Sequence, residues 1–539
     1  MLIMNKDDLF LTLFILCAAA FAAAAFALAG PFGSKGSVKA YFVSSEVLER
    51  GIKGKEREEF DPSVLRFEGT EVPFDPEAGT LYIPHSIEVP DWQGRLTLTG
   101  QGGKICIVSD DQADEELRRD SIENGRPFRL AVIFPDSYME CSIVFTGLPA
   151  ICIDYGDGGI RGKEEHAGRI TSIDPYRNEY RSFECSFHVR GNTSVLFDKK
   201  SYRVELRDKA GNGLKESLLG LREDDDWILN SLATDKTLAR EKVCYGLWEE
   251  LGRMEEHPVP APAMEYAELF MNGSYMGIYG LMYPVDRKLM GMRTGDILYK
   301  IRTWKEEMDA PGELTDYNGL NEILNTNGFA YTSIEYPKED ESLFDWGPLE
   351  AYQRFVFETG DLSDLAEEKI ILDKENFIFH ELFCEMVRAA DNTWKNLYLA
   401  AYRNSAGEYI LRETIWDLNY TFGDAFVWDP ENGNTAFLRE STDSYKLRYD
   451  RDYGYSALLN ADKDTEAEAA EKWNRWREEG VGPGMIRAMF EEESDLLSAS
   501  GAMSRNEERW PGSTSGDSAE LFDWIEGRFR FLDGLHSRK

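Results

Sequence analysis

Residues 391–423 constrain the fold of this chain more than any other segment. The segment opens with Asp391, after a run with the apolar spacing of a helix, and Asn396 follows five residues later. Two apolar, aromatic-rich stretches come next, separated by Asn-Ser-Ala-Gly at 404–407, which is typical of a turn. The second stretch runs into Asp417. This order predicts a helix, a loop, a β-hairpin and an acidic residue at a strand end.

The spacing of these polar residues also indicates a chemistry. An Asp-x4-Asn pair in a loop, followed by an aspartate after a hairpin, is the arrangement that protein kinases use. The first aspartate accepts the proton of the acceptor hydroxyl, and the other two residues hold magnesium on the nucleotide phosphates. Asp391, Asn396 and Asp417 are the candidates for these roles. A structural hairpin with acidic ends would explain the same residues, because aspartate and asparagine are common in turns.

Length and charge limit the class of protein. The chain has 539 residues, of which 42% are hydrophobic, so two or three domains with real cores are expected. Acidic residues number 98 against 60 lysines and arginines, which gives a formal net charge of −38. Binding of nucleic acid through a basic surface is therefore not expected.

Residues 9–29 form an apolar stretch near the start of the chain. A helix of about 20 apolar residues spans a bilayer, and Ala27-x-Ala29 resembles a signal-peptidase site. We therefore expect a cleaved signal peptide or a single membrane anchor, with an extracytoplasmic body that is secreted or membrane-attached. Six cysteines lie beyond this stretch, mostly in apolar patterns, and their pairing in disulfides is left open. The histidines lack metal-ligand spacing.

Composition along the chain predicts its organisation. We expect a signal peptide or anchor at 1–30, a polar linker at 31–60, a β-rich domain at 61–165, a mixed domain at 166–460 and a helical extension at 461–539 that packs on it. The β-rich domain is predicted because short β-branched runs alternate with Gly, Pro and Asp, as in a small sandwich. Residues 305–370 are acidic and weakly periodic, which favours an insertion or lid.

Several elements of the mixed domain have local signals. Residues 237–251 have the apolar spacing of a helix, with Thr237 as a candidate cap. Asn272 and Gly273 predict a tight hairpin turn. Residues 375–388 are expected to form the helix that leads to Asp391, and the end of the chain is expected to form another helix.

A hairpin earlier in the mixed domain is a candidate phosphate site. Strands are predicted at 184–190 and 200–206. Backbone N–H groups of a Gly/Ser/Thr turn can hold phosphate, and a lysine can pair with it. The candidates for phosphate binding are Arg190, Gly191, Asn192, Ser194, Lys199 and Lys200. An exposed hairpin with solvated lysines is the alternative.

Four segments, taken in order, carry a resemblance to a family. They are RGNTSVLFDKKSYRVEL, DWILNSLATDKTLAREKVCYGLWEELG, YAELFMNGSYMGIYGLMYPVDR, and Asp391 followed by IWDLNYTFG. Together they resemble the CotH family of spore-coat, atypical protein-kinase-like enzymes. The resemblance covers residues 170–423 and is weaker in the last helix.

The resemblance implies an atypical, kinase-like, two-lobed catalytic domain at 166–460. With the β-sandwich-like domain and the apolar N-terminal helix, which the residues themselves predict before it, the fold class is α+β. The resemblance also implies transfer of the ATP γ-phosphate to Ser or Thr of exported or surface proteins, with Mg²⁺ bound by Asn396 and Asp417. Asp391 would be the general base, and Lys200 or Lys199 would bind the phosphates. Strand alternation places the two lysines on opposite faces, which favours Lys200 because it shares a face with Tyr202.

Two positions depart from the family pattern. Met282-Tyr283-Pro284 stands where the family often has Thr-Glu, which bears on nucleotide affinity. Asn419 stands at the second acidic position of Trp-Asp-x-Asp, where it offers a metal an oxygen without a charge. Two alternative functions follow: a surface or cell-envelope binding or assembly protein that keeps the fold with little or no activity, and transfer of another part of the nucleotide, such as AMP. The acceptor and the oligomeric state are not predicted.

Overall fold

A computed structural model of the chain describes residues 40–84, 96–99, 102–110, 122, 124–156, 158–160, 162–191, 197–301, 316–317, 322–324, 332–338, 343–392, 396–429, 434–439, 441–442, 453–514 and 518–536. The chain forms two compact units. The first comprises residues up to Ser231 with Glu265–Leu281 and Asp495–Gly512. The second comprises Leu232–Met264, Met282–Ser494 and the residues from Ser513 onward.

The described residues contain ten α-helices. They lie at Ser45–Ile52 (α1), Arg240–Gly252 (α2), Gly347–Arg354 (α3), Leu362–Glu367 (α4), Lys374–Val387 (α5), Tyr453–Ala461 (α6), Thr465–Glu478 (α7), Pro483–Ala499 (α8), Ala502–Arg509 (α9) and Ala519–His536 (α10).

The strands of the same ranges form several sheets, so the α+β class is confirmed. They lie at Ala40–Val43 (β1), Glu56–Glu58 (β2), Leu65–Phe67 (β3), Thr70–Glu71 (β4), Phe74–Asp75 (β5), Thr80–Pro84 (β6), Leu96–Leu98 (β7), Lys104–Val108 (β8), Phe128–Ile133 (β9), Ser137–Thr146 (β10), Ala150–Tyr155 (β11), His166–Asp174 (β12), Glu179–Arg190 (β13), Ser201–Arg207 (β14), Asp226–Asn230 (β15), Met264–Met271 (β16), Ser274–Met282 (β17), Ile297–Ile301 (β18), Asp316–Tyr317 (β19), Glu322–Leu324 (β20), Thr332–Tyr336 (β21), Ile370–Leu372 (β22), Leu397–Arg403 (β23), Tyr409–Thr414 (β24), Asp424–Asp429 (β25) and Asn434–Arg439 (β26).

Seven strands close into a barrel, almost wholly within the first unit, in the order β11-β12-β13-β14-β15-β17-β16. β13 and β14 pair antiparallel, which confirms the hairpin predicted there. β16 and β17 are joined at Asn272 and Gly273, whose φ angles of 47° and 80° suit the two-residue turn that the sequence predicts. β11 pairs parallel with β16, so this strand belongs to the barrel.

The region that precedes the barrel is β-rich, as predicted. A sheet with the order β1-β8-β9-β10-β6-β5, to which β2 adds on β10, lies beside a small sheet of β4-β3-β7. Leu65 and Phe67 of β3, Leu96 of β7, and Ile105 and Leu130 of the larger sheet share one buried core. The larger sheet also contains parallel pairs, β1 with β8 and β10 with β6.

Part of the predicted linker at 31–60 is folded, which corrects that expectation. β1 pairs with β8 at the edge of the larger sheet, and α1 follows it directly. Ser44 caps α1 by accepting a hydrogen bond from Val47 N, and Val47, Leu48 and Ile52 are buried. The helix has only eight residues, so its apolar face is too short to stand out among the charges around it.

The second unit is built on a sheet with the order β19-β20-β21-β18-β23-β24-β22. The predicted hairpin of residues 397–414 is confirmed as β23 and β24, and the helix before it as α5. α5, α7 and α10 pack through aromatic pairs: Phe379 lies 5.5 Å from Trp476, and Trp473 lies 5.5 Å from Phe529, between ring centroids. The predicted C-terminal helix is α10.

The apolar segment at 9–29 lies outside the described residues, as do 305–315, 318–321, 325–331 and 339–342 of the predicted insertion at 305–370. Within the ranges that the structure does describe, no helix is long and apolar enough to cross a membrane. The two-lobed arrangement and the lid stay predictions.

The question of disulfides, which the sequence left open, has an answer for six cysteines. Each cysteine in the described part of the chain is a free thiol, buried or half-buried. Burial raises the pKa values of five of them, Cys106, Cys141, Cys152, Cys185 and Cys244, for Cys106 to about 12, so these five thiols are protonated at neutral pH.

Helix α9 is fixed to β17 inside the first unit. Asn506 Oδ1 accepts a hydrogen bond from Ile278 N at 3.0 Å, and Trp510 Nε1 donates to Met276 O at 2.8 Å. Between them lies Gly277, with φ at +91°, where a Cβ would collide with Asn506 Oδ1 and meet the Trp510 ring at 3.2 Å. The close approach of the helix therefore needs glycine at this position.

We expect Gly277→Ala to destabilise the protein by about 2–4 kcal/mol, because left-handed strain of about 1–2 kcal/mol adds to the collision with Asn506. Gly54→Ala is the matched control, since Gly54 also has positive φ (+80°) but open space around it. Melting temperatures of the two variants measure the difference. Equal decreases of the melting temperature in both variants would show that α9 does not pack tightly against Gly277.

Candidate active site

Helix α5 delivers Asp391 to the site. The Asp373 side chain caps its first turn by accepting from Asn376 N at 3.2 Å, and the helix is buried on nearly all sides. It ends at Arg388, whose left-handed backbone (φ 55°) turns the chain. The backbone N–H of Phe422 donates to Val387 O at 2.6 Å, so the last turn is tied to the segment that follows the hairpin.

The structure brings Asp391 and Asn396 together, as the spacing predicts. Asn396 Nδ2 donates to Asp391 Oδ2 at 3.1 Å. Asn396 is buried and Asp391 is half-buried, and residues 393–395 between them lie outside the described residues. The amide oxygen of Asn396 is thus directed away from the carboxylate that its nitrogen contacts.

Asn392 joins this loop to Asp417 and was missed by the sequence reasoning. Its buried Nδ2 donates to Asn396 O at 3.3 Å and to Trp416 O, the carbonyl that precedes Asp417. Asp417 itself has a left-handed backbone with φ at 61°. One amide group therefore holds the Asp391–Asn396 loop against the residue before Asp417. The only sequence signal for it was an asparagine next to the candidate base.

The pKa of the Tyr420 hydroxyl is affected by the charges of both Asp391 and Asp417. Burial raises the pKa of its hydroxyl, a hydrogen bond with Thr234 lowers it, and the negative charges of Asp417 and Asp391 raise it further. A carboxylate affects a neighbouring pKa in this way only over a short range. The carboxylates of Asp391 and Asp417 are therefore both close enough to the Tyr420 hydroxyl to raise its pKa.

Arg240 at the start of α2 fixes the segment after Asp417. Its guanidinium pairs with Asp235 and, at 2.7 Å, with Asp424, and its Nε donates to Thr421 O at 3.2 Å. Arg240 and Asp235 are buried. Asp235 also accepts from Arg240 N at 2.7 Å, so it caps the helix start instead of the predicted Thr237.

Two further contacts from the α2 side hold this segment. The Tyr245 hydroxyl is hydrogen-bonded to the backbone of Asp417 and donates to Glu241 at 2.6 Å; burial first, and then the charges of Glu241 and Asp417, raise its pKa. Asn419, at the departure from the family pattern, donates through Nδ2 to Thr234 Oγ1 at 2.7 Å. The structure therefore gives Asn419 a role in holding this segment.

The oxygen atoms of this loop suit a hard divalent cation. Magnesium takes oxygen ligands, keeps several waters and needs only one or two carboxylates. Asp417 and Asn396 provide such oxygens, and buried Asn392 Oδ1 has no hydrogen-bond donor among the described residues. Within those residues no cluster of three or more His, Cys, Asp and Glu side chains forms a metal site by itself. The residues fit Mg²⁺ that is also held by water and phosphate.

The predicted phosphate-binding residues lie in the first unit. Arg190 ends β13, and Gly191 follows with φ at +102°, whereas Asn192 and Ser194 lie outside the described residues. β14 begins at Ser201. Both candidate lysines therefore precede the strand, and strand alternation does not choose between them.

The two lysines have different surroundings. Lys199 is buried, and its Nζ donates to Ile278 O at 2.6 Å and Asn506 Oδ1 at 2.8 Å, while the Tyr279 ring lies 5.0 Å away. Burial lowers the pKa of Lys199 to about 7. The Lys200 ammonium donates to Phe197 O and is half-buried. Lys199 therefore links β17 to α9 through these two hydrogen bonds.

A protein-family model described as "CotH kinase protein" matches residues 187–532 of the chain, which is more than half of its length. The match includes the end of β13, all of β14, the residues Asp391, Asn396 and Asp417, and helix α9. No curated protein matches the chain closely enough to count as a relative.

We expect Arg240→Met to cost about 3–5 kcal/mol, because it leaves the buried carboxylate of Asp235 without its cation. Arg253→Met, at the other end of α2, is the control. Among the described residues Arg253 is paired with exposed Glu249 and half-buried Glu250 near the surface, and its loss should cost less than about 1 kcal/mol. Denaturant unfolding measures both. Similar losses would contradict the role of Arg240 as an anchor.

Lys199 should make stability depend on pH. Its pKa is about 7 when folded against 10.5 as the ordinary value, so between these limits the unfolded chain binds one more proton. Stability then rises with pH by about 1.4 kcal/mol per unit above pH 7, and the slope vanishes below pH 7. We expect the stability difference between wild type and Lys199→Met to grow between pH 7 and 9, as measured by denaturant unfolding. Lys209→Met, at an exposed position, should show no such trend; a flat difference for Lys199→Met would contradict the buried ammonium.

Proposed function

The chain belongs to the CotH kinase protein family, and on this premise we propose that it transfers the γ-phosphate of ATP to serine or threonine hydroxyls of exported or surface proteins. The observation that supports this most is that Asn396 contacts Asp391, while the amide of Asn392 joins their loop to Trp416, the residue before Asp417. A general base and two oxygen ligands for magnesium are the parts that phosphoryl transfer requires.

In the proposed reaction Asp391 accepts the proton of the acceptor hydroxyl as its oxygen attacks the γ-phosphorus. The hydrogen bond from Asn396 Nδ2 orients the Asp391 carboxylate, and an oriented base transfers a proton more effectively. Asn396 and Asp417 would hold Mg²⁺, which when bound neutralises charge on the phosphates. The contacts of Arg240 and Tyr245 keep the Asp417 segment in place, so little reorganisation is needed.

The proposal extends to the nucleotide and the acceptor. Lys200 or Lys199 would bind ATP phosphates, with Arg190 and residues 191–194 over them, in a kinase-like two-lobed domain. The apolar segment at 9–29 supports export, as a signal peptide or an anchor, and thus a protein acceptor outside the cytoplasm. The net charge of −38 favours such a protein over nucleic acid.

A binding or assembly protein with little activity is the second candidate. It is favoured by Asn419, which replaces an acidic residue and whose amide is engaged with Thr234. Such a protein would keep the fold of the segment without a second carboxylate for metal. The acidic surface would then serve in binding a partner.

We expect Asp391→Asn to reduce transfer from labelled ATP by about 10²–10⁴-fold, because the base is removed while its size is kept. Asp417→Asn should raise the Mg²⁺ concentration required as well as lower the rate. Purified full-length protein, incubated with exported proteins, provides the assay, and Asp364→Asn at an exposed position is the control. Intact masses of the products distinguish phosphate from AMP.

Binding is measured separately from turnover. ATP with Mg²⁺ at about 100 times its Kd should stabilise the wild type by about 2.7 kcal/mol in a thermal shift. Stabilisation without transfer favours the second candidate. Unchanged transfer in both aspartate variants would refute the assignment of the site.

A further inference from the structure

Lys300 lies on β18, beside the hairpin that carries the candidate site. In the antiparallel register Lys300 opposes Tyr398 of β23, and Tyr398 opposes Thr414 of β24. Directly opposed residues of neighbouring strands project from the same face of a sheet. Lys300, Tyr398 and Thr414 therefore form a row across three strands of the second unit.

This row adjoins the candidate site. Asn396 lies one residue before β23 and Trp416 lies two residues after β24, so both residues are next to the ends of the strands that carry this row. Trp416 contacts the row directly, because Lys300 Nζ lies 5.2 Å from the centroid of its ring and 4.9 Å from that of Tyr398. The ammonium thus sits between the residue that precedes Asp417 and the strand that follows Asn396.

The two rings hold the ammonium in place. Tyr398 and Trp416 are buried and meet edge to face, with centroids 6.0 Å apart. The face of an aromatic ring attracts a cation, and two rings restrict the rotamers of a long side chain. Trp416 is fixed in turn, since Asn392 donates to its carbonyl. Lys300 is therefore a positioned cation beside the residue that precedes Asp417, whose carboxylate alone would repel an incoming phosphate.

We propose that Lys300 contacts the γ-phosphate of ATP in the transfer reaction; this rests on the proposed function. In that step the acceptor oxygen bonds to the γ-phosphorus, and the bond from this phosphorus to the β–γ bridging oxygen breaks. Its electron pair leaves with ADP, and the hydroxyl proton goes to Asp391. Negative charge on the γ-phosphoryl oxygens meets the ammonium, a compact point charge with three N–H donors.

This assignment adds a cation on the same sheet as the catalytic hairpin. Lys199 and Lys200, to which the sequence pointed, lie in the first unit. The alternative is that Lys300 has a purely structural role, in which its ammonium only packs between the rings of Tyr398 and Trp416 as a brace. The two roles differ in what they predict for nucleotides with and without a γ-phosphate.

The test compares the affinities of the full-length protein for Mg-ATP and Mg-ADP by calorimetry. Lys300→Met keeps the apolar stem and removes the charge. We expect its affinity for ATP to fall about 10- to 100-fold, the effect of a charged hydrogen bond, while its affinity for ADP stays unchanged. Lys338→Met, which removes a lysine paired with Glu335 after the neighbouring β21, should change neither.

Each other outcome of this affinity comparison overturns the inference. Equal losses for ATP and ADP, together with a lower melting temperature, would show a brace and overturn the inference. Wild-type affinity for both nucleotides in Lys300→Met would overturn the inference and leave the proposed function standing. A wild type that binds neither nucleotide would end the proposed function, and the inference with it.

A second measurement needs no variant, in case Lys300→Met does not fold. An acyl-phosphate derivative of ATP acylates lysines that lie next to its terminal phosphate. We expect the label on Lys300 of the wild-type protein, mapped by mass spectrometry, and its loss in excess ATP. Labelling that is blocked by ATP and excludes Lys300 would overturn the inference.

Discussion

The side-chain amide of Asn392 is the contact on which the arrangement of the candidate site depends. Its nitrogen donates to two backbone carbonyls, those of Asn396 and Trp416, and so joins the loop after α5 to the end of β24. Both bonds are buried, where an unpaired carbonyl is costly and a satisfied network is specific. Because the amide of Asn392 bonds to backbone carbonyls, it fixes the loop without contacting the side chains of Asn396 and Asp417 through its nitrogen. A structural residue thus sets the backbone geometry of the residues that carry the proposed chemistry.

In each unit a largely buried guanidinium group joins segments that are far apart in the sequence. In the second unit Arg240 of α2 joins Asp235 to Asp424 and to the carbonyl of Thr421. In the first unit Arg505 of α9 makes two bonds, of 2.8 and 3.0 Å, to the fully buried carboxylate of Glu268 on β16. Such pairs add little net stability, since desolvation offsets their attraction, but an unpaired partner is strongly unfavourable. They therefore determine where a helix packs. This matters in a chain whose neighbouring elements in the fold are far apart in the sequence.

The sequence predicted the structural features that depend on residues close together in the chain. Alternation and the Asn272–Gly273 turn predicted the barrel hairpin, and the interval from Asp391 to Asn396 predicted a contact that the structure contains. It did not predict the role of Asn392, because this depends on a carbonyl 24 residues away. The bond from Lys199 to Asn506, 307 residues apart, and the parallel pairing of β1 with β8 have no periodic signal either. Polar pairs between distant segments follow from packing, which a local pattern does not contain.

Several residues with a strained backbone lie in the segment that Asn392 and Arg240 hold in place. Arg388, Asn396, Asp417 and Phe422 all have φ between 53° and 61°, a left-handed region that costs a non-glycine residue about 1 kcal/mol or more. Asparagine and aspartate bear it best, whereas arginine and phenylalanine need support from their surroundings. That support is visible: the N–H of Phe422 bonds to Val387 O, and Arg240 holds the carbonyl of the residue before Phe422. The left-handed turns at Asn396 and Asp417 direct the two proposed metal ligands, so the buried polar contacts around them have a second consequence. They hold the backbone in a conformation that a free hairpin would leave, and the candidate site exists only while they do.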